Sequence, residues 1–152
     1  MKPRGFTLPQ LLTALAVTGI LAAAATQSYR SYTADARLRQ VQAALLENSD
    51  FLHNYYARHQ SYKSGSSDWP ALPHTESGGF CIRLQGLARG ALPGKYTLKA
   101  VALDQTAEPR ILRTNQDGTF SLCARSTNSC SETADYFAGN SNITDKECSV
   151  FR

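Results

Sequence analysis

The sequence carries none of the short signatures of catalysis. It has no Gly-x-Ser-x-Gly, no His-Glu-x-x-His and no phosphate-binding loop ending in Gly-Lys-Ser/Thr. Its three histidines, His53, His59 and His74, are scattered. There is no Cys-x-x-Cys and no histidine close to a cysteine in sequence, so a zinc reading lacks its ligands. The acids Glu132, Asp135, Asp145 and Glu147 do not have the spacing of a calcium loop. The chain is therefore read as not an enzyme, with no cofactor and no metal. Charge is also modest, at 18% of 152 residues, and a net +4 is too small to establish nucleic-acid binding by itself. A hydrophobic content of 42% excludes a wholly disordered chain, and the composition excludes a collagen and a polytopic membrane protein. One domain of ordinary size fits the length.

Charge is missing altogether between Arg4 and Arg30. Phe6 to Ala25 is apolar apart from Thr7, Pro9, Gln10, Thr13, Thr18 and Gly19. As a helix rising about 1.5 Å per residue, the run would span roughly 30 Å of hydrocarbon. It is either a membrane anchor or a secretory signal, for which Ala22-Ala23-Ala24-Ala25 would supply the cleavage site. Beyond it, Leu38, Val41, Leu45, Asn48, Leu52, Tyr55 and His59 recur at helical spacing, opposite Arg37, Arg39, Glu47, Asp50 and Arg58. One helix from about Phe6 to Gln60 is predicted, apolar all round first and amphipathic later. His59 is expected to be packed or hydrogen-bonded on that stripe.

Ser61 to Gly79 reads as a long loop, tacked to the core by Trp69-Pro70-Ala71-Leu72-Pro73. Four strands are predicted at Phe80–Gln85, Lys95–Leu103, Pro109–Thr114 and Thr119–Ala124, the last two joined through Gln116-Asp117-Gly118. An antiparallel meander of these strands would rest one face on the helix and leave the other available. Arg125 to Arg152 shows no periodicity and would need staples to be ordered. Four cysteines allow three pairings. From Cys81 to Arg125, seven bases stand against three acids, while Ser126 to Arg152 has two bases and four acids. The positive charge thus belongs to the sheet. Arg83, Lys99 and Arg113 would form a stripe if all three face outward, although Ile111 would then face outward beside Arg113. Such a stripe suits a phosphate backbone, and a solvated sheet face is the plain alternative.

Gly5-Phe6-Thr7-Leu8, the apolar run and Tyr29-Arg30-Ser31-Tyr32 resemble the type IV pilins and pseudopilins. The resemblance implies an α+β pilin fold: a long N-terminal helix packed on a four-stranded antiparallel sheet, with a disulfide-stapled C-terminal region. It divides the chain into a leader at 1–5, a transmembrane or filament-core helix half at 6–28 and a headgroup at 29–152. A prepilin peptidase would cleave between Gly5 and Phe6, and the new terminus would be methylated. Loss of Lys2 and Arg4 would lower the net charge from +4 to +2. Two departures, Gln10 where the family has Glu and no proline near Gln27, suit a minor pilin better than a bulk subunit. The family's habit of bridging the last strand to the C-terminal segment implies Cys123–Cys148, which leaves Cys81–Cys130.

Further stretches are similar to the family's competence minor pilins, which take up DNA: Ala43–Asn48, Trp69–Pro73, Phe80–Leu84, Ala88–Leu92, Leu98–Ala102, Asp135–Phe137 and all four cysteines. What this implies is a surface receptor for double-stranded DNA carrying an uptake sequence. Arg83, Lys99 and Arg113 would engage phosphates, with Lys95 among the neighbouring bases. Lys63, Arg89 and Ser126-Thr127-Asn128 would read base edges. The implied partners are DNA, a major pilin and its assembly machinery, and the inner membrane before assembly. The implied location is then the surface pilus, with the headgroup periplasmic or extracellular. The alternatives are a structural or adhesive minor pilin and a secretion pseudopilin, whose calcium site would lie in the tail.

Overall fold

The computed structural model describes residues 8–151. The expected processing site at Gly5 and Phe6 lies outside them. Helix α1 runs Leu8–His59, close to the predicted bounds. The chain divides into two compact units at Ala36 and Arg37.

In the first unit the apolar side chains are exposed, from Leu8 at 75% to Leu21 at 64%. The helix is long and apolar enough to cross a membrane. The threonines that interrupt the run are satisfied within it. Thr13 donates to the Gln10 carbonyl, Thr18 to that of Ala14 and Thr26 to that of Ala23. Such back-bonding lets a hydroxyl sit in apolar surroundings without an unmet donor.

In the second unit a seven-stranded sheet carries β1 (Glu76–Ser77), β2 (Phe80–Gln85), β3 (Thr97–Ala102), β4 (Ile111–Asn115), β5 (Phe120–Ser126), β6 (Tyr136–Phe137) and β7 (Asp145–Val150). Its order is β1-β2-β3-β4-β5-β7, antiparallel throughout, with β6 added parallel to the end of β2. The four predicted strands are all present, and three more join them, the two-residue β1 and β6 and the six-residue β7. The β4–β5 hairpin turns where expected: the Asn115 side chain accepts from the N–H groups of Asp117 and Thr119, and Gly118 takes a φ of 70°.

One face of the sheet buries Phe80, Ile82, Leu84, Leu98, Ala100, Leu112 and Phe120 with Leu38, Val41, Leu45 and Leu52 of α1. Each such side chain contributes roughly 1.5–3 kcal/mol on burial. Gly78, at φ 58°, lets the β1–β2 turn press on the helix, since a Cβ there would stand 3.1 Å from the Arg37 carbonyl. Trp69 packs on this core and donates from Nε1 to the Gly86 carbonyl, which fixes the long loop as expected. His59, at the helix end, is exposed and packs on the Tyr55 ring, 4.2 Å away.

The second sheet face is not left available. The segment after β5 folds back across it, adding β6, the short helix α2 (Ser141–Thr144) and β7. Phe137 is buried there with Cys81, Val101, Ile111 and Cys123. Disulfides join Cys81 to Cys130 and Cys123 to Cys148, the pairing implied by the pilin resemblance. Ile111 thus does face outward beside Arg113, and the tail buries it.

Candidate nucleic-acid interface

The sheet register sets Arg83 opposite Lys99 and Lys99 opposite Arg113. The three cations therefore form a row across β2, β3 and β4. The tail covers that row. Lys99 is 0% exposed, and its Nζ donates to Asn128 Oδ1 (2.5 Å), Asp145 Oδ1 (2.6 Å), Ser126 Oγ (3.3 Å) and Thr144 Oγ1 (3.3 Å). Burial pushes its ammonium below the ordinary lysine value, and the hydrogen bond and charge of Asp145 oppose that. The half-buried Arg83 guanidinium donates to the carbonyls of Glu132 (2.8 Å) and Cys130 (3.0 Å) and lies 5.5 Å from the Phe137 ring. Arg113 reaches Asp145 Oδ2 at 3.3 Å with 20% of its side chain exposed.

Two expectations need correction. Lys99 was expected to meet phosphates, but it has no surface to offer, because a segment some 27 to 46 residues further on supplies its acceptors. Asn128 was expected to read bases, but it is 4% exposed and fully engaged. Its Oδ1 takes Lys99, and its Nδ2 donates to Glu132 Oε1 and the Ala138 carbonyl. Thr127, between half-buried Ser126 and buried Asn128, is exposed.

The remaining predicted residues gather elsewhere. Lys63 lies in the loop after α1 and donates from Nζ to the Ala91 carbonyl (3.1 Å). Arg89 lies in the 3-10 turn Ala88–Gly90 and reaches back to Ser67 Oγ at 3.5 Å. Tyr62 N–H bonds the Pro93 carbonyl, so the two loops interlock. Lys95 is exposed at the end of the second. Among the described residues none of these three cations has a carboxylate partner. Arg110 and Arg125, by contrast, pair with Glu108 and Glu147. Beside Arg113 lies a polar cleft of about 260 Å³, lined by Thr97, Asn115, Thr119, Ser121, Ser141 and Asn142. These hydroxyls and carboxamides, with one guanidinium, can coordinate phosphate oxygens.

Sequence reasoning missed Asp145 and Glu132 as organisers of the tail. Glu132 accepts from Asn128 Nδ2 and from the N–H groups of Ser129 and Ala138. Burial raises its pKa, but these hydrogen bonds outweigh it and hold the carboxyl below its ordinary 4.5. The available signal was the row itself, since three cations in register require counter-charge.

A family model described as type IV minor pilin ComP, DNA uptake sequence receptor, matches residues 27–133. The solution NMR structure of the minor DNA-uptake pilin ComP from Neisseria subflava is 49% identical and aligns with a TM-score of 0.60, over 75% of this chain and 94% of that one. The global fold of the type IV pilin ComP from Neisseria meningitidis is 43% identical with a TM-score of 0.54, over 80% and 99%. Among curated proteins none matches.

Proposed function

Since this chain belongs to the ComP family of type IV minor pilins, we propose that its headgroup is a surface receptor for double-stranded DNA bearing an uptake sequence. One observation carries the reading. Among the described residues Lys63, Arg89 and Lys95 stand on two interlocked loops without carboxylate partners, whereas Lys99, Arg110, Arg113 and Arg125 are ion-paired and Arg83 is held by two carbonyls under the tail. Cations whose charge no carboxylate neutralises, on a fixed frame, are what a phosphate backbone requires, and they make binding depend on salt. In this reading Arg89 and Lys63 enter a groove, Lys95 meets phosphate, and Arg113 holds a further phosphate at the mouth of the polar cleft. Thr127 supplies a hydroxyl from the tail. The first helix unit anchors the chain in the inner membrane and later in a pilus built by a major pilin, after a prepilin peptidase has cut at Gly5.

The test titrates the full chain, in detergent micelles with its cysteines oxidised, against a neisserial uptake-sequence duplex and a scrambled duplex at low and physiological salt. Tighter binding of the uptake duplex at both salts is expected. Equal binding that salt abolishes would reduce the surface to a merely basic one.

A second reading, a minor pilin whose headgroup meets another protein, is favoured by a groove of about 1020 Å³ between the Ser67–Glu76 loop and the tail. Trp69, Leu72, Leu103 and Tyr136 line it together with Asp68, Glu76 and Asp135, carboxylates that repel DNA. Absence of DNA binding in the same titration would favour this reading.

A further inference from the structure

Building on the DNA-receptor reading, we propose that Lys99 is a positioning residue for duplex recognition. Its buried ammonium fixes the segment from Ser126 to Asp145 over the sheet, and discrimination between duplexes depends on that fixation, with no contact between Lys99 and a phosphate.

The four acceptors of Lys99 come from the two ends of the segment. Ser126 and Asn128 stand where the chain leaves β5, and Thr144 and Asp145 stand where it returns as β7. One cation therefore closes the arch. The network passes inward from there: Asn128 bonds Glu132 and the Ala138 carbonyl, and Glu132 gathers the N–H groups of Ser129 and Ala138. It also passes outward. Asp145 Oδ1 takes Lys99 and Ser126 Oγ, while its Oδ2 takes Arg113, whose half-buried guanidinium borders the polar cleft. Ser141 and Asn142, which also line that cleft, belong to the same arch. An ammonium removed from water needs its counter-charge and its acceptors, so any other path of the tail would strand it. The ion pair thus selects one arrangement of the arch, and with it the positions of Thr127 and Arg113.

Asp145 separates this idea from a simple charged stripe. On a stripe, Asp145 only weakens the positive field, so removing its charge strengthens binding to every duplex. In a positioning network, Asp145 and Lys99 fail in the same direction although their charges are opposite. The experiment measures affinities of the full chain in detergent micelles for the uptake-sequence and scrambled duplexes over a series of salt concentrations. It compares the parent with Lys99→Met, Lys99→Arg, Asp145→Asn and Lys95→Ala.

For Lys99→Met and Asp145→Asn, the uptake-to-scrambled affinity ratio is expected to fall about tenfold or more, the scale of a lost base contact, with an unchanged salt slope. Lys99→Arg keeps the charge but does not fit the socket, and should fail likewise. Lys95→Ala should instead lower the slope by about 0.9 and keep the ratio. Amide exchange should quicken in residues 127–144 and stay at the parent's level in β2 to β4.

Tighter binding of both duplexes by Asp145→Asn at an unchanged ratio would overturn the proposal. So would a slope lowered by about 0.9 in Lys99→Met with its ratio kept. Should Lys99→Met fail to fold, Asp145→Asn and Lys99→Arg decide. A parent that does not distinguish the duplexes overturns the receptor reading, and this inference with it.

Discussion

Asn48 is a carboxamide at the centre of an apolar stripe, and its burial is complete. It holds the long loop: Nδ2 donates to the His74 carbonyl at 2.7 Å, and Oδ1 accepts the His74 N–H at 3.0 Å. Asn48→Leu should keep the helix but leave both His74 groups unpaired, at a cost of about 1–3 kcal/mol in chemical denaturation. Faster proteolysis between Ser61 and Gly79 should accompany it. Glu132 makes a different prediction. Its folded carboxyl titrates below 4.5, so it adds stability at pH above about 4.5 and loses it as pH falls through the lower folded value. Protection of the tail amides should therefore decline in acid, and Glu132→Gln should flatten that decline. Asn48 was visible in the sequence as an oddity on the helix stripe. The burial of Lys99 was not, because a charged residue at an outward strand position reads as solvated, and its counter-charge comes 46 residues later.

At the scale of elements, the strands with alternating or β-rich sequence were legible, and β2 has the predicted bounds Phe80–Gln85. Alternation placed Arg83 outward but was less decisive for Lys99 and ambiguous for Arg113, and it is the strand register that sets the three in a row. β7 was illegible for a physical reason. Only Asp145 of its six residues is buried, so it is held by backbone pairing and the Cys148 bridge, neither of which leaves a hydrophobic pattern. The same bridges allow a measurement. Cys81 and Cys130 close a 49-residue span, and loop-closure entropy puts such a bridge at roughly 4 kcal/mol. Cys81→Ser/Cys130→Ser should lose up to about that much in denaturant titration. It should also reduce duplex discrimination before it reduces salt-dependent binding, since the Lys63–Ala91 and Tyr62–Pro93 hydrogen bonds tie the loops carrying Lys63, Arg89 and Lys95 to one another.

At the scale of the molecule, a formal net charge of +4 proved a poor guide, because most of the sheet's positive charge is spent internally. The cations left over on the two interlocked loops are few, so the electrostatic part of duplex binding should be small and countable. Arg89→Ala, at a groove residue, should lower the uptake-to-scrambled affinity ratio, whereas Lys95→Ala, at a phosphate contact, should reduce the slope of log affinity against log salt by about 0.9. The reduction should be equal for uptake and scrambled duplexes. The family model covers the cations of the row but stops at residue 133, short of Thr144 and Asp145, which hold Lys99 in place.

The threonines of the first helix unit carry their acceptors with them. A segment whose Thr13, Thr18 and Thr26 hydroxyls are each closed onto a carbonyl three or four residues back presents the same outer surface to any apolar medium. Moving it from lipid into a sheath of neighbouring helices breaks none of these bonds and exposes none of these donors. For these three hydroxyls the two media are therefore equivalent.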